Sequence, residues 1–152
     1  MRSLIEETDL EPRTDRPNES ASETVGGAGA AQLRRSILVV DDNETVAKAL
    51  RLILTDAGFE VAAFQSGLAA LRYVEGDPPA AALIDIHLPD INGLVLTQRL
   101  REMLGPDTPL LVLSGDTSME TLNSLPHVGA TYFFPKPLQT NQLIERLREW
   151  VG

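Results

Sequence analysis

The sequence predicts an α/β fold, a doubly wound parallel sheet of five strands with helices on both faces. Short apolar runs rich in β-branched residues alternate with segments of helical periodicity, five times over about 116 residues. The strand runs are apolar at successive positions, as strands buried on both faces require. Capping and breaking residues (Ser66, Gly58, Gly76, Pro126) punctuate the alternation. A β-α alternation of this kind implies parallel strands joined by right-handed crossovers.

In chain order, residues 37–40 (ILVV) form the first strand. Residues 45–57 form a helix with Val46, Ala49, Leu50, Ile53 and Leu54 at helical spacing, stopped by Gly58. Asp42 or Asn43 suits its N-cap. Residues 60–64 are the second strand. Ser66 caps a helix through Leu68, Leu71, Tyr73 and Val74 that Gly76 and two prolines end. Residues 81–85 run from apolar AALI into an acid, as the third strand. After a loop in which Asn92-Gly93 reads as a turn, a helix carries Leu94, Leu96, Leu100, Met103 and Leu104. Residues 110–113 are the fourth strand, and a short helix over 118–125 stops at Pro126, since proline breaks a helix interior. Residues 131–134 are the fifth strand; Leu143, Ile144, Leu147, Trp150 and Val151 mark the last amphipathic helix.

Residues 1–35 differ in texture. They carry Pro12, Pro17, Gly26, Gly27 and Gly29 and no aromatic residue, so they bury too little surface to offset ordering entropy. They read as a disordered N-terminal tail, with residues 36–152 as the folded domain. The GGAGA run precedes the first strand instead of following one, which is the wrong context for a phosphate-binding loop.

Composition narrows the function. Acids outnumber bases 22 to 13 in 152 residues, which argues against nucleic acid and against anionic membrane surfaces as partners. With no cysteine and two histidines, His87 and His127, disulfide scaffolds and Cys/His metal sites are excluded or improbable. No run approaches the roughly 18 apolar residues of a membrane span, and the N-terminus lacks an apolar signal core. The expected location is the cytoplasm.

In open parallel sheets, sites form at the carboxyl ends of the strands. Strand one ends in Asp41-Asp42, strand three in Asp85, strand four in Ser114-Gly115, and strand five near Lys136-Pro137. Three carboxylates, a hydroxyl and an ammonium would converge there. An oxygen-only acidic cluster suits a hard cation such as magnesium; a lysine and a hydroxyl beside it suit a phosphoryl group.

The runs ILVVDDNETVAKALRLILTDAGFEV, LIDIHLPDINGL, LLVLSGD and GATYFFPKPL, in this order and spacing, resemble the receiver domain of two-component response regulators over roughly residues 36–151. The resemblance implies the flavodoxin-like (βα)5 fold with strand order 2-1-3-4-5. It implies Asp85 as phosphoacceptor, and Mg2+ held by Asp42, Asp85 and the backbone carbonyl of His87, with Asp41 acting mainly through coordinated water. It implies Ser114 and Lys136 as partners of the phosphoryl group and Phe133 as the switch aromatic. Pro89 and Gly93 would shape the loop after Asp85, and Pro137 would follow a cis peptide that aims Lys136 into the site. The donor would be a sensor histidine kinase or a histidine phosphotransfer protein. The chain would catalyse its own phosphorylation and dephosphorylation without being an enzyme in the ordinary sense. The face of the fourth helix, fifth strand and fifth helix would then signal to a downstream protein. Because the sequence stops at Gly152, a stand-alone regulator with no effector domain is expected, with a phosphorelay intermediate or phosphate sink as alternatives.

Plainer readings exist for each residue. An Asp-Asp pair after a strand often serves as a solvated turn and cap. Ser114 can be a loop hydroxyl, Lys136 a surface charge and Phe133 a core residue. His127 reads as a loop residue, and His87 as an exposed one that could affect phosphoryl lifetime. Departures from the family pattern are Pro126, which shortens the fourth helix, Pro135 at the end of the last strand, and Asp116 near the crevice mouth, which could slow anionic donors or orient water. A haloacid dehalogenase-type hydrolase would need a second acid where His87 stands. A flavin-binding flavodoxin-like protein would need a phosphate loop where Asp41-Asp42-Asn43-Glu44 stands. A degenerate receiver scaffold would lack core residues that are all present.

Overall fold

The computed structural model describes residues 35–151; apart from Arg35, the expected tail lies outside the described residues. Five parallel strands form one sheet: β1 (Ser36–Val40), β2 (Glu60–Phe64), β3 (Ala81–Asp85), β4 (Leu110–Ser114) and β5 (Tyr132–Pro135). Their order is β2-β1-β3-β4-β5, as expected. The helices are α1 (Glu44–Asp56), α2 (Gly67–Gly76), α3 (Gly93–Leu104), α4 (Met119–Ser124) and α5 (Thr140–Val151).

Every residue of β3 and β4 is buried, which explains their unbroken apolar runs. Successive side chains leave opposite faces of the sheet. Ile37 and Val39 therefore join Leu50, Leu54, Leu143 and Leu147 of α1 and α5. Leu38 and Val40 join Ala70, Val74, Leu96 and Leu100 of α2 and α3. Each fully buried Leu or Ile contributes about 1.5–3 kcal/mol relative to exposure, so these two layers hold the sheet rigid. A third, smaller cluster of Ile86, Val112 and Leu125 lies beneath α4, with Phe133, Leu94 and Leu122 against it. Among the described residues no helix is long and apolar enough to cross a membrane.

Local chemistry sets the helix starts. Asn43 and Ser66 cap α1 and α2 by accepting from Val46 and Ala69 amides. Asn92, expected in a turn, instead caps α3 by accepting from the Leu94 amide at 2.7 Å, and Gly93 is the first helical residue. The Gly93 N–H donates to the Ile86 carbonyl at 2.7 Å, and a Cβ there would overlap the Asp85 carbonyl oxygen and the Ile86 Cα. Glycine is required at that position by close approach to the end of β3. Asp90 also serves α2: its carboxylate accepts from the Ser66 hydroxyl and the Gly67 and Leu68 amides, and these bonds lower its pKa to about 2.

Around β5 the boundaries shift by one residue. Thr131 lies just before the strand, its N–H donating to the Leu110 carbonyl at 2.7 Å and its hydroxyl accepting from the Leu110 amide at 3.0 Å. Pro135 lies within it. β5 pairs with β4 alone, and an edge strand tolerates a missing N–H. As expected from Pro126, α4 is short. It contributes no buried residue and gives way to a 3-10 turn over Pro126–Val128 that includes His127 and ends at left-handed Gly129, φ 84°. Arg101 of α3 anchors that turn, its guanidinium donating to the Gly129, Gly105 and Thr108 carbonyls at 2.7–3.0 Å.

Two outcomes are expected. Gly93→Ala costs about 1–3 kcal/mol in urea unfolding, the range for overpacking, whereas Gly76→Ala, where a Cβ meets nothing within 4 Å, is neutral or stabilising. Asp90→Ala lowers the urea midpoint at neutral pH. A depressed carboxylate stabilises above its ordinary value of 3.8 and ceases to as pH falls to about 2. The difference from wild type therefore closes across that window and is constant above it.

Candidate functional site

The parallel sheet brings the ends of β1 and β3, which are neighbours, to one edge. Asp41 follows β1 directly, fixed by its N–H donating to the Phe64 carbonyl at 3.0 Å, and is fully buried. Asp85 is the last residue of β3 and 3% exposed. Asp42, one residue further, is exposed. Oxygens of all three carboxylates lie within 4.8 Å of one another.

Lys136 reaches this cluster from just beyond β5. Its ammonium lies 3.2 Å from Asp41 Oδ2 and 3.4 Å from Asp85 Oδ2, and its backbone N–H donates to the Ser114 carbonyl at 3.0 Å. The Lys136–Pro137 peptide is cis, as expected. Asp41 Oδ1 accepts from the Asn43 N–H at 2.9 Å, so both Asp41 oxygens are engaged by protein donors. Asp42 faces solvent.

The electrostatics follow. Burial raises the Asp85 pKa, and the neighbouring Asp41 charge raises it further. The Lys136 ammonium and the His87 N–H, 3.4 Å from Asp85 Oδ1, oppose this. Burial alone would lower Lys136, but the two carboxylates outweigh it and its pKa is raised. Three carboxylates against one ammonium leave two negative charges uncompensated. A divalent, oxygen-seeking cation fits both that charge and that donor set.

Ser114 ends β4 at the same edge, fully buried, its hydroxyl oxygen accepting from the Asp116 N–H at 2.9 Å. Phe133 does not enter the carboxylate cluster: it is half-buried against Ile86, Val112 and Leu125 beneath α4. Pro89 and His87 are exposed in the β3–α3 loop. Asp116 is occupied locally. Its carboxylate accepts from the Ser118 N–H and the Thr121 hydroxyl, both at 2.9 Å, and these bonds, with a smaller pull from His87, lower its pKa. Asp90 and Arg101 stood out in no sequence pattern. An acid shortly after a predicted strand end is too common in loops to mark a helix cap 22–24 residues away.

A family model described as "Response regulator receiver domain" matches residues 37–148. Curated relatives include a "Response regulator MprA" from Mycolicibacterium vanbaalenii, 36% identical over 112 residues, covering 74% of this chain and 48% of that protein. One from Mycobacterium avium is 35% identical, covering 74% and 49%. The chain thus spans about half the length of these relatives. Similar solved structures include a CheY-like receiver domain protein from Methanospirillum hungatei, with TM-score 0.73, 28% identity, and coverage of 77% of this chain and 93% of that one. Another is the chemotaxis protein CheY4 of Vibrio cholerae, with TM-score 0.71, 28% identity, and coverage of 76% and 97%. With the sheet order, the acidic edge and these likenesses in agreement, the chain belongs to the response regulator receiver domain family, the CheY-like modules of two-component signalling.

Proposed function

We propose that this receiver accepts a phosphoryl group on Asp85 from a phosphohistidine of a sensor histidine kinase or histidine phosphotransfer protein. The observation that carries this reading is Asp85 itself: a carboxylate at the end of a central strand, with burial and Asp41 raising its pKa and a lysine ammonium 3.4 Å away. An Asp85 oxygen attacks phosphorus in line, the P–N bond breaks, and the donor imidazole leaves and takes up a proton. Transfer of this kind depends on positioning and charge stabilisation. Lys136 supplies positive charge to the transferring oxygens. The Ser114 oxygen is already engaged as an acceptor, so its proton is the part of the hydroxyl to offer the phosphoryl group.

Asp42, Asp85 and the His87 carbonyl would hold Mg2+, with Asp41 acting through coordinated water. Bound there, the cation supplies charge neutralisation for the phosphoryl oxygens. The occupied oxygens of Asp41 and the exposure of Asp42 support this division of roles. Hydrolysis of the acyl phosphate by water at the same site resets the protein, so it acts as a self-catalysing phosphoacceptor. Pro89, Gly93 and Pro137 shape the loops that carry these groups.

Output passes through the α4-β5-α5 face. Ile86, next to the acceptor, packs with Leu125 and Phe133, so a charge event at Asp85 acts on the underside of α4, a helix with no buried residue to restrain it. Phe133 turning inward is the switch in this reading. Tyr132, with its ring centroid 5.8 Å from that of Trp150 and 5.1 Å from the Arg146 guanidinium, extends the face onto α5 for a protein partner. The same chemistry serves a cytoplasmic stand-alone regulator, a relay intermediate or phosphate sink, and the receiver of a longer protein.

Asp85→Asn is expected to abolish the adduct of about 80 Da formed with acetyl phosphate and magnesium; an undiminished adduct by intact mass would overturn the acceptor assignment. Lys136→Ala is expected to keep magnesium binding while its beryllofluoride-induced amide shifts over 119–124 and 132–135 fall to about half of wild type or less. A full-sized response would remove Lys136 from the switch.

A further inference from the structure

The loop between β3 and α3 follows the acceptor and is tied down at a point that the reading above does not use. Asp90 takes three hydrogen bonds from the start of α2. The Ser66 hydroxyl donates to Oδ2 at 2.7 Å, the Leu68 N–H to Oδ2 at 3.0 Å, and the Gly67 N–H to Oδ1 at 3.1 Å. Ser66 in turn accepts from the Ala69 N–H at 3.1 Å. These amides belong to the first turn, where helical N–H groups have no partner within the helix, and negative charge is favoured there. The cap is therefore shared between α2 and a loop more than twenty residues further along the chain.

Packing reinforces the tie. Ile91 sits against Gly67 so closely that a Cβ on Gly67 would overlap it, and Leu88 and Ile91 pack on the core layer of α2 and α3. On the other side of His87, Ile86 is buried and its carbonyl accepts from Gly93. His87 is thus flanked by two fixed points: the Ile86–Gly93 bond near the end of β3, and the Asp90–α2 cap three residues beyond it.

We propose that Asp90 is a positioning residue for the cation site: by locking the β3–α3 loop onto the start of α2, it sets where the His87 backbone carbonyl stands relative to the carboxylates of Asp41, Asp42 and Asp85, and so sets the affinity for Mg2+. This rests on the reading in which the His87 carbonyl is a cation ligand. Asp90 acts through the loop and meets neither the cation nor the acceptor.

Magnesium dependence separates this role from simple stabilisation. Phosphorylation by acetyl phosphate is followed across a magnesium titration in wild type, Asp90→Ala, Asp90→Asn and Ser66→Ala. The expected result is a half-saturating magnesium concentration raised about tenfold in Asp90→Ala, the lower end of the range for residues that orient metal ligands. The rate at saturating magnesium stays within about twofold of wild type, because the acceptor is untouched. Asp90→Asn, whose amide oxygen still accepts, and Ser66→Ala, which removes one of the three bonds, shift less in the same direction. A variant that merely unfolds more easily loses amplitude at an unchanged half-saturation, and that result overturns the proposal. Magnesium titration of the amide resonances of residues 85–87 gives a second readout, independent of phosphorylation. If wild type forms no adduct, the acceptor reading fails, and equal titration midpoints in wild type and Asp90→Ala would then overturn the role of Asp90 separately.

Discussion

Two buried carboxylates that share one ammonium govern the rest of this molecule. Asp41 and Asp85 end neighbouring parallel strands, so the sheet itself forces them together, and Lys136 is the cation that spans both at 3.2 and 3.4 Å. Like charges held close away from water are costly. One ammonium cannot balance three acids, and the surplus of negative charge makes this edge chemically compatible with a hard divalent cation.

Holding that cluster together requires stiff surroundings on one side. Gly93 lets α3 start directly against the end of β3, and Asp90 fastens the same loop to α2. Both core layers of the sheet converge on strands that end in the site. The far side is built differently. α4 is six residues long and buries none of them, while the turn after it is held by Arg101 through the Gly129 carbonyl. A stiff carboxylate edge and a lightly held helix with a fixed distal end form an arrangement in which a local change of charge can move one face.

Much of this was legible in the residues. Alternating apolar runs and helical periods gave the five strands and five helices, and apolar runs at successive positions marked strands buried on both faces. Asp41, Asp42, Asp85 and Lys136 could be placed at one edge because strands of a parallel sheet all end on the same side. Pro126 announced the shortened α4, and Pro135 the edge position of β5. By sequence alone Asn92-Gly93 fits a turn as well as a helix cap, because both use the same residue types. The position of Asp116 near the crevice follows from the sequence, but its donors, the Ser118 N–H and the Thr121 hydroxyl, are fixed only by side-chain conformation.

What the sequence determined by itself was the set of elements, their parallel order through family likeness, and the chemical character of one sheet edge, because these rest on periodicity and on residues at strand ends. Only the tertiary structure decided which carboxylate oxygens are already occupied, that Phe133 lies beneath α4 and outside the acidic cluster, and that Asp90 and Arg101 are structural ties. The physical reason is distance along the chain. The partners of Asp90, Arg101 and Lys136 lie as much as 24, 30 and 95 residues away, and no local pattern records a hydrogen bond that exists only once two layers have packed.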